Sequence, residues 1–223
     1  MKKQVAVIVG ILLISVVMIT VAAIYGNRNQ FEYRDHLEDT LFTLDGKKYQ
    51  LSEITYYVAR QEYRIEEQAK IYNPKDTNQY WAIHTNGEFV RLTGKEAALD
   101  AAVHDMLFWE KAKEEGIKLS QEEEEYARNS ASDLCYDLKE EQKERAGLTD
   151  EQIYEMTSRA ALAEKYQGIL AKKEGQNFGA YDYNGKAYEK LLKEHELKIE
   201  EELWEQVPFG NVAFNHRFEN EGE

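Results

Sequence analysis

The most informative part of the sequence is Leu44-Asp45-Gly46-Lys47-Lys48-Tyr49-Gln50-Leu51-Ser52-Glu53. Its Asp-Gly pair separates two short segments of extended character, 40–44 and 48–51. Because glycine readily adopts a positive φ angle, Asp-Gly between such segments predicts a β-hairpin. Ser52 then occupies an N-cap position, where its hydroxyl can accept a hydrogen bond from an unpaired N–H group. Apolar residues follow at helical spacing until Asn73-Pro74, which predicts one long helix directly after the hairpin.

Three later segments each open with a capping box, in which two side chains three positions apart satisfy the first N–H groups of a helix. The pairs are Thr93 with Glu96, Ser120 with Glu123, and Thr149 with Gln152. Each segment then carries apolar residues at helical spacing and ends near a glycine, at positions 116, 147 and 175. The sequence therefore predicts three helices in series after the hairpin and the first helix.

The remaining part of the chain is expected to close this helical domain, which spans residues 39–175. Residues 176–185 are rich in Gly, Asn and Tyr and are expected to form a linker with little potential to join a core. Residues 186–210 are predicted to contain a short helix, over 186–196, and an aromatic segment that packs back on the domain. We expect 211–223 to be a flexible tail. The predicted fold class is mainly α with one small β-hairpin.

The N-terminus indicates the compartment in which the chain works. Lys2 and Lys3 precede an uncharged run, Val5 to Tyr25, whose 21 residues would span about 30 Å as a helix. We expect residues 1–26 to be a cytoplasmic stub and transmembrane anchor, and 27–38 a tether. A cleaved signal peptide is the alternative, with a weak cleavage motif at 21–23. Either interpretation places the rest of the chain outside the cytoplasm, and the anchor makes it a single-pass cell-membrane protein.

Composition and motifs point away from several classes of protein. The net charge of −14 disfavours binding to nucleic-acid phosphates. Cys135 is the only cysteine, so no intrachain disulfide is possible, and the five histidines show no metal-binding spacing. His104 is expected to be a packed or hydrogen-bonded residue. Since nucleophile, phosphate-binding and dinucleotide-binding motifs are also absent from the sequence, we predict no catalytic site, no metal and no cofactor.

The order of these motifs resembles the N-terminal chaperone domain of SurA/PrsA-type foldases. In that family a strand, an Asn/Asp-Gly turn and a Ser-capped helix come first, as in residues 44–53. A second match is Ala112-Lys113-Glu114-Glu115-Gly116-Ile117, which leads to Ser120, and a third is Gly147-Leu148-Thr149. The resemblance covers about 40–174, and 186–210 is similar to the returning C-terminal piece of the family domain.

The resemblance implies a membrane-anchored module that binds unfolded or secreted polypeptides. SurA and PrsA foldases usually carry a parvulin domain after these helices, but the interval from Gly175 to Lys186 is too short to hold one. We therefore expect a chaperone-like protein without prolyl isomerase activity. Two alternatives remain open at this point: a non-catalytic scaffold for one dedicated envelope partner, and a divergent isomerase that acts without the parvulin domain.

Three aromatic residues are candidates for contact with a bound polypeptide. Tyr56 and Tyr63 lie seven positions apart on the first helix, on the face opposite Ile54, Val58 and Ile65, where we expect them to be exposed. The alternative is that they cover the returning C-terminal segment. Trp81, in the irregular region 74–92, is the third candidate, whereas Trp109 and Trp204 are expected in the core.

Overall fold

A computed structural model describes residues 31–85 and 87–216 of the chain. The folded, compact unit of the chain begins at Tyr33. The predicted anchor and its possible cleavage motif lie outside the described residues, as do residues 217–223. In the ranges that are described, no helix is both long enough and apolar enough to cross a bilayer.

The described chain is mainly helical, as the sequence predicts, with a small antiparallel sheet. The strands are β1 (Thr40–Leu44), β2 (Lys47–Gln50), β3 (His84–Thr85), β4 (Glu88–Phe89) and β5 (Leu197–Ile199). The helices are α1 (Leu51–Tyr72), α2 (Asn78–Trp81), α3 (Val90–Glu114), α4 (Gln121–Asp137), α5 (Glu140–Ala146), α6 (Asp150–Lys173), α7 (Lys186–Leu192) and α8 (Glu201–Gln206). Helix α3 packs against both α1 and α6, and α4 packs against α6.

The predicted hairpin is present and gains a third strand that the sequence does not predict. Asp45 and Gly46 both have positive φ, at 51° and 80°, and they turn β1 back into β2. Strand β5, from the far end of the chain, pairs antiparallel with the other edge of β1, so the strand order is β2-β1-β5. The Asp45 carboxylate supports this pairing, because it accepts the Glu196 N–H at 2.8 Å and contacts His195 Nδ1 at 2.6 Å.

Two of the predicted helix starts are confirmed. At the start of α4, the Ser120 hydroxyl accepts the Glu123 N–H at 3.3 Å, and the Glu123 carboxylate accepts the Ser120 N–H in return. At the start of α6, the Thr149 hydroxyl accepts the Gln152 N–H at 3.2 Å. Both boxes satisfy N–H groups that the helix itself leaves unpaired, which is why local sequence is sufficient to find them.

The other predicted helix boundaries need correction. Helix α1 begins at Leu51 with Gln50 as its N-cap, two residues earlier than a Ser52 cap would allow. Helix α3 begins at Val90, and Thr93 lies inside its first turn, where the hydroxyl donates to the Phe89 carbonyl at 3.3 Å. The segment predicted as one helix up to Gly147 is divided, because α4 ends at Asp137 and α5 is a separate short helix.

The Thr149 cap allows a direct test of these local signals. Replacing Thr149 with alanine is expected to lower the free energy of unfolding by about 1 kcal/mol, because one N–H at the start of α6 loses its acceptor. Ser158→Ala is the matched control, since Ser158 lies exposed within the same helix and alanine is the better helix former. Urea denaturation measures both variants. Equal stability of the two would show that the cap contributes nothing.

The region 176–185 is better packed than the sequence indicates. It contains a 3-10 turn, Phe178–Tyr181, and the Tyr181 side chain is buried. His104 is buried in α3 and its Nε2 lies 2.9 Å from the Tyr181 carbonyl, while its Nδ1 lies 2.8 Å from Asp105. The prediction that His104 is a packed, hydrogen-bonded residue is confirmed. The expectation of a linker with little core potential is wrong, because this backbone contact and the ring of Tyr181 attach the segment to α3.

Candidate functional site

The three residues predicted to contact a polypeptide lie against three different elements. Tyr56 is only 2% exposed, and its hydroxyl accepts a hydrogen bond from Thr157 of α6 at 3.2 Å. Trp81 is fully buried, with its ring against Phe209 and His216. The expected exposure of Tyr56 is therefore wrong, because α6 covers that face of α1. These positions do not form a common surface.

Tyr63 is the one member of this set that is partly exposed. Burial of its hydroxyl and a hydrogen bond with Asp137, at the end of α4, raise the pKa of Tyr63 to about 12. Trp204 is buried as predicted, whereas Trp109 is only half-buried. The cations of Lys113 and Arg159 lie 3.9 Å and 4.4 Å from the centre of the Trp109 ring. Trp109 therefore lies at the edge of the core, with the charged groups of Lys113 and Arg159 next to its ring.

The structure points instead to the C-terminal segment, defined here as residues 207–216. This segment crosses the C-terminal half of α1, and Val212 and Ala213 are each 1% exposed. Residues 211–216 thus do not belong to a flexible tail, contrary to the sequence expectation. The C-terminal segment is held mainly by three sets of polar contacts, made by Glu62, by the cluster around His216, and by Lys95; in addition, Arg145 donates to the Phe214 carbonyl at 3.3 Å.

Glu62 makes the first set of contacts and is completely buried. Its two carboxylate oxygens accept four backbone N–H groups of the C-terminal segment, at 2.5 to 3.3 Å. The donors belong to Gly210, Val212, Ala213 and Phe214. Burial raises the pKa of Glu62 to about 7, and the four N–H donors act against this by stabilising the anion. One side chain of α1 therefore supplies most of the acceptors that this turn of backbone needs.

The second set of contacts surrounds His216. Its Nδ1 lies 2.8 Å from Asn78 Oδ1, and its Nε2 lies 3.1 Å from the Glu66 carboxylate. Trp81 donates its Nε1–H to the same Glu66 oxygen at 3.1 Å and stacks near the His216 ring at 4.5 Å. Burial lowers the pKa of His216, and Glu66 opposes this. The end of the C-terminal segment is thereby attached to both α1 and α2.

Lys95 makes the third set of contacts from the first turns of α3. Its ammonium group donates to the carbonyl oxygens of Glu205 and Val207, at 3.0 and 2.9 Å, and lies 5.2 Å from the centre of the Trp204 ring. Burial lowers the pKa of Lys95 to about 8; Arg91 adds to this effect and Glu205 opposes it. A charged side chain of α3 thus holds the end of α8 and the start of the C-terminal segment.

A groove of about 680 Å³ lies between the start of α3 and the C-terminal segment. Leu92 is 44% exposed at this groove and Pro208 is half-buried, whereas Val207 and Phe209 are almost fully buried in its wall. The polar lining residues are Arg91, Lys95, Glu205, Gln206, Asn211 and His216. Two further depressions have volumes of about 660 and 460 Å³; the larger has a similar mixture of apolar and polar lining residues, and the smaller is lined mainly by polar and charged ones. The first groove is the candidate site, because among these three it is the one lined by a substantially exposed large apolar side chain, Leu92.

The lining side chains of the groove define the contacts that it can make with a ligand. The lining side chains include no serine, threonine or cysteine that could act as a nucleophile beside His216. In the described ranges, no group of three or more His, Cys, Asp and Glu residues is arranged to hold a metal. The arrangement can offer an apolar surface, two cations and side-chain amides to a ligand that lies along it.

Sequence reasoning did not identify Glu62, Lys95 or Leu92 as site residues. The sequence does carry a signal for Glu62. Glu62 belongs to the series Ile54, Val58, Glu62 and Ile65, whose spacings of four, four and three place its carboxylate at a core position of α1. A charged residue at such a position indicates a buried partner. For Lys95 and Leu92 no local signal exists, because their role depends on where the distant C-terminal segment lies.

In comparisons with known proteins, no family model, curated protein or solved structure matches this chain.

Proposed function

We propose that this protein is a chaperone-like module that binds unfolded or secreted polypeptide segments in the groove beside the C-terminal segment, without isomerising X-Pro bonds. The observation that carries the proposal is the groove itself. Its exposed Leu92 and half-buried Pro208 can contact an apolar side chain, while Gln206 and Asn211 can bond to a peptide backbone. The proposal includes the membrane anchor that the N-terminal sequence predicts.

The size and shape of the groove favour weak, general binding over tight capture of one small ligand. The exposed apolar area of the groove is small, so burying it against an equal area of peptide gains on the order of 3 kcal/mol. The ordering of an unfolded chain offsets part of this gain, so a single segment is expected to bind with an affinity weaker than about 1 mM. Affinity in this range suits a protein that must release its clients. The hairpin followed by a series of helices and a returning segment is consistent with the resemblance to SurA-type domains.

The function can be tested with a soluble form that contains residues 30–223 and so retains the whole compact unit. An aggregation-prone unfolded client and a proline-limited refolding substrate are assayed side by side. We expect suppressed aggregation and an unchanged isomerisation rate. No effect on aggregation would contradict binding of general polypeptides and would favour the alternative of a scaffold for one dedicated partner. An accelerated proline-limited phase would contradict the absence of isomerase activity.

The groove is tested with Leu92→Asp. A carboxylate at this position replaces apolar contact area, so aggregation suppression is expected to fall at least about threefold, which corresponds to losing part of one leucine side chain's contribution. Ile169→Asp is the matched control, because Ile169 is 39% exposed on α6 and Leu92 is 44% exposed on α3. Equal activity of the two variants would place the binding surface elsewhere on the protein.

A further inference from the structure

Helix α4 presents two large aromatic side chains to solvent. Tyr126 is 73% exposed and Tyr136 is 89% exposed. The helix packs against α6, and its buried residues are Ala127, Ala131 and Leu134. Both tyrosines lie outside this buried stripe, so neither ring contributes to the core. Tyrosine rings that are exposed in this way are typical of surfaces that contact other proteins, because the ring offers apolar area and the hydroxyl stays hydrated.

Each of these tyrosines has a carboxylate one helical turn away. Glu122 lies four positions before Tyr126, and Asp133 lies three positions before Tyr136, so the members of each pair are neighbours on the helix surface. These four exposed residues are defined here as the outer face of α4. The centres of the two pairs are about 16 Å apart along the helix. Within the described ranges, none of the four side chains forms a hydrogen bond, an ion pair or a ring contact.

The same combination of ring and carboxylate holds cations elsewhere in this protein. At Trp109, the cations of Lys113 and Arg159 lie 3.9 and 4.4 Å from the centre of the ring. Carboxylate oxygens of Glu110 and Glu53 lie 3.7 and 2.7 Å from the same two cations. A cation in this position is attracted both by the face of the ring and by the neighbouring anion. At the outer face of α4 the rings and carboxylates are present, but the described part of the chain supplies no cation.

The cations near α4 are used elsewhere or lie outside this face. Glu123, on the side of α4 towards α6, pairs with Lys165 at 2.6 Å. Asp137, at the end of α4, forms a hydrogen bond with Tyr63 of α1. Arg128 is the one basic residue of α4, and it lies about 120° or more around the helix from both carboxylates of the outer face. The carboxylates of α4 that face other elements therefore have partners, whereas those of the outer face do not.

Charge decides what can cover the outer face of α4. Two copies of this face would bring four carboxylates together, and anionic lipid headgroups or nucleic-acid phosphates would be repelled in the same way. A neutral apolar partner would remove Glu122 and Asp133 from water without supplying a counter-charge, which costs free energy. A polypeptide segment with Lys or Arg supplies a cation to each pair and covers both rings.

We propose that the outer face of α4 binds a basic segment of a partner protein, with one Lys or Arg at each tyrosine–carboxylate pair. An extended segment advances about 3.3 Å per residue, so its two cations would be about five positions apart. One helix face is smaller than a stable protein–protein interface, so this contact is weak and sensitive to salt. The lining of the groove beside Leu92 includes no residue of α4. This inference therefore does not depend on the function proposed above.

The test is an NMR titration of residues 30–223 with three blocked Gly/Ser peptides of equal length. The first carries two Arg five positions apart, the second two Gln at these positions, and the third two adjacent Arg. We expect the spaced-Arg peptide to bind about tenfold more tightly than the Gln peptide, from two exposed ion pairs and two ring contacts. It should also bind about threefold more tightly than the adjacent-Arg peptide, which has the same charge but reaches one pair. The amide shifts should lie in α4, and salt should reduce both ratios.

Two pairs of variants locate the contact. Glu122→Gln is expected to weaken binding of the spaced-Arg peptide about threefold. Glu124→Gln is its matched control, because Glu124 is exposed in the same first turn but lies about 160° around the helix from Glu122. Tyr136→Ala should weaken binding by a similar factor, about threefold, through loss of the ring. Tyr154→Ala, at a 39% exposed position of α6, is the control for this change. Thermal unfolding of all four variants shows whether the fold is retained.

Several results would overturn this inference. Equal binding of the spaced-Arg and Gln peptides, or of the two Arg peptides, would show that the tyrosine–carboxylate pairs do not recognise cations. Equal losses in Glu122→Gln and Glu124→Gln would attribute the attraction to the net charge of the chain. Self-association that Tyr136→Ala abolishes would assign the face to a second copy. None of these results affects the groove, whose own test is the suppression of client aggregation.

Discussion

Replacing Glu62 with glutamine is expected to lower the free energy of unfolding at pH 5.5 by about 3 kcal/mol, because buried N–H groups lose their acceptor. Both oxygens of Glu62 accept two N–H groups each, so either orientation of a glutamine amide places an NH₂ group against two donors. Urea denaturation measures the loss. Amide hydrogen exchange should show it first at Gly210 and residues 212–214.

The matched control is Glu67→Gln on the same helix. Glu67 is 43% exposed and its carboxylate pairs with Lys70, so its replacement is expected to change stability by less than about 0.5 kcal/mol. Equal stability of the Glu62 and Glu67 variants, or unchanged exchange in the C-terminal segment, would show that Glu62 does not hold this segment.

The pH dependence of the Glu62 effect has a defined sign. Burial raises the pKa of Glu62 from its ordinary 4.5 to about 7, so between these values the folded protein retains a proton that the unfolded chain has lost. The stability that Glu62 contributes is therefore fully present below pH 4.5 and is lost as the pH rises through 7. The difference between wild type and Glu62→Gln should narrow by pH 8. His216 titrates in both proteins, so its effect cancels in the comparison.

Replacing Trp81 with alanine is expected to lower the free energy of unfolding by about 4 kcal/mol, the cost of removing a large buried ring. Trp81 is fully buried, contacts the rings of Phe209 and His216, and donates a hydrogen bond to Glu66. Trp81→Phe keeps much of the ring contact and removes the N–H donor together with part of the indole. It should cost about 1 to 2 kcal/mol.

Tyr126→Ala is the surface control for this series, because Tyr126 is 73% exposed on α4 and should contribute less than about 0.5 kcal/mol. The comparison also decides between two roles for Trp81. If Trp81→Ala lowers the free energy of unfolding by more than it weakens the free energy of peptide binding, Trp81 acts as a core residue. A stable Trp81→Ala protein that no longer binds peptides would instead support the original prediction that Trp81 contacts the client.

Both variants should also affect polypeptide binding indirectly. The C-terminal segment forms one side of the groove through Val207, Pro208 and Phe209. Glu62 and Trp81 hold this segment from α1 and α2 without lining the groove themselves. Release of the segment would remove this side of the groove, so weaker binding should accompany lower protection of its amides.

The predictions that succeeded depend on short stretches of sequence. Asp45-Gly46 identifies the hairpin because the turn needs positive φ at these two positions. Ser120 and Thr149 identify helix starts because each bonds an N–H three residues away. Thr93 led to a wrong prediction of a helix start. A threonine hydroxyl can also bond to a carbonyl within the first turn of a helix, and the sequence does not distinguish this geometry from a cap.

The candidate site was not predictable in the same way. Exposure of Tyr56 depends on whether α6 covers that face of α1, and Tyr56 and Thr157 are far apart in sequence. The packing of residues 211–216 depends on acceptors at Glu62, which lies about 150 residues earlier in the chain. Residues 211–216 were predicted to be part of a tail, because the side chains that bond to their backbone lie far away in the sequence.

The mainly helical fold class, the hairpin and the capped helix starts can be predicted from the chain alone, since each arises from interactions over a few residues. The pairing of β5 with β1, the contacts of Glu62, His216 and Lys95 with the C-terminal segment, and the groove beside Leu92 became visible once the packing of the folded chain was known. These features bring together groups from opposite ends of the domain. Their free energy comes from burial and from contacts that exist only once the helices have packed.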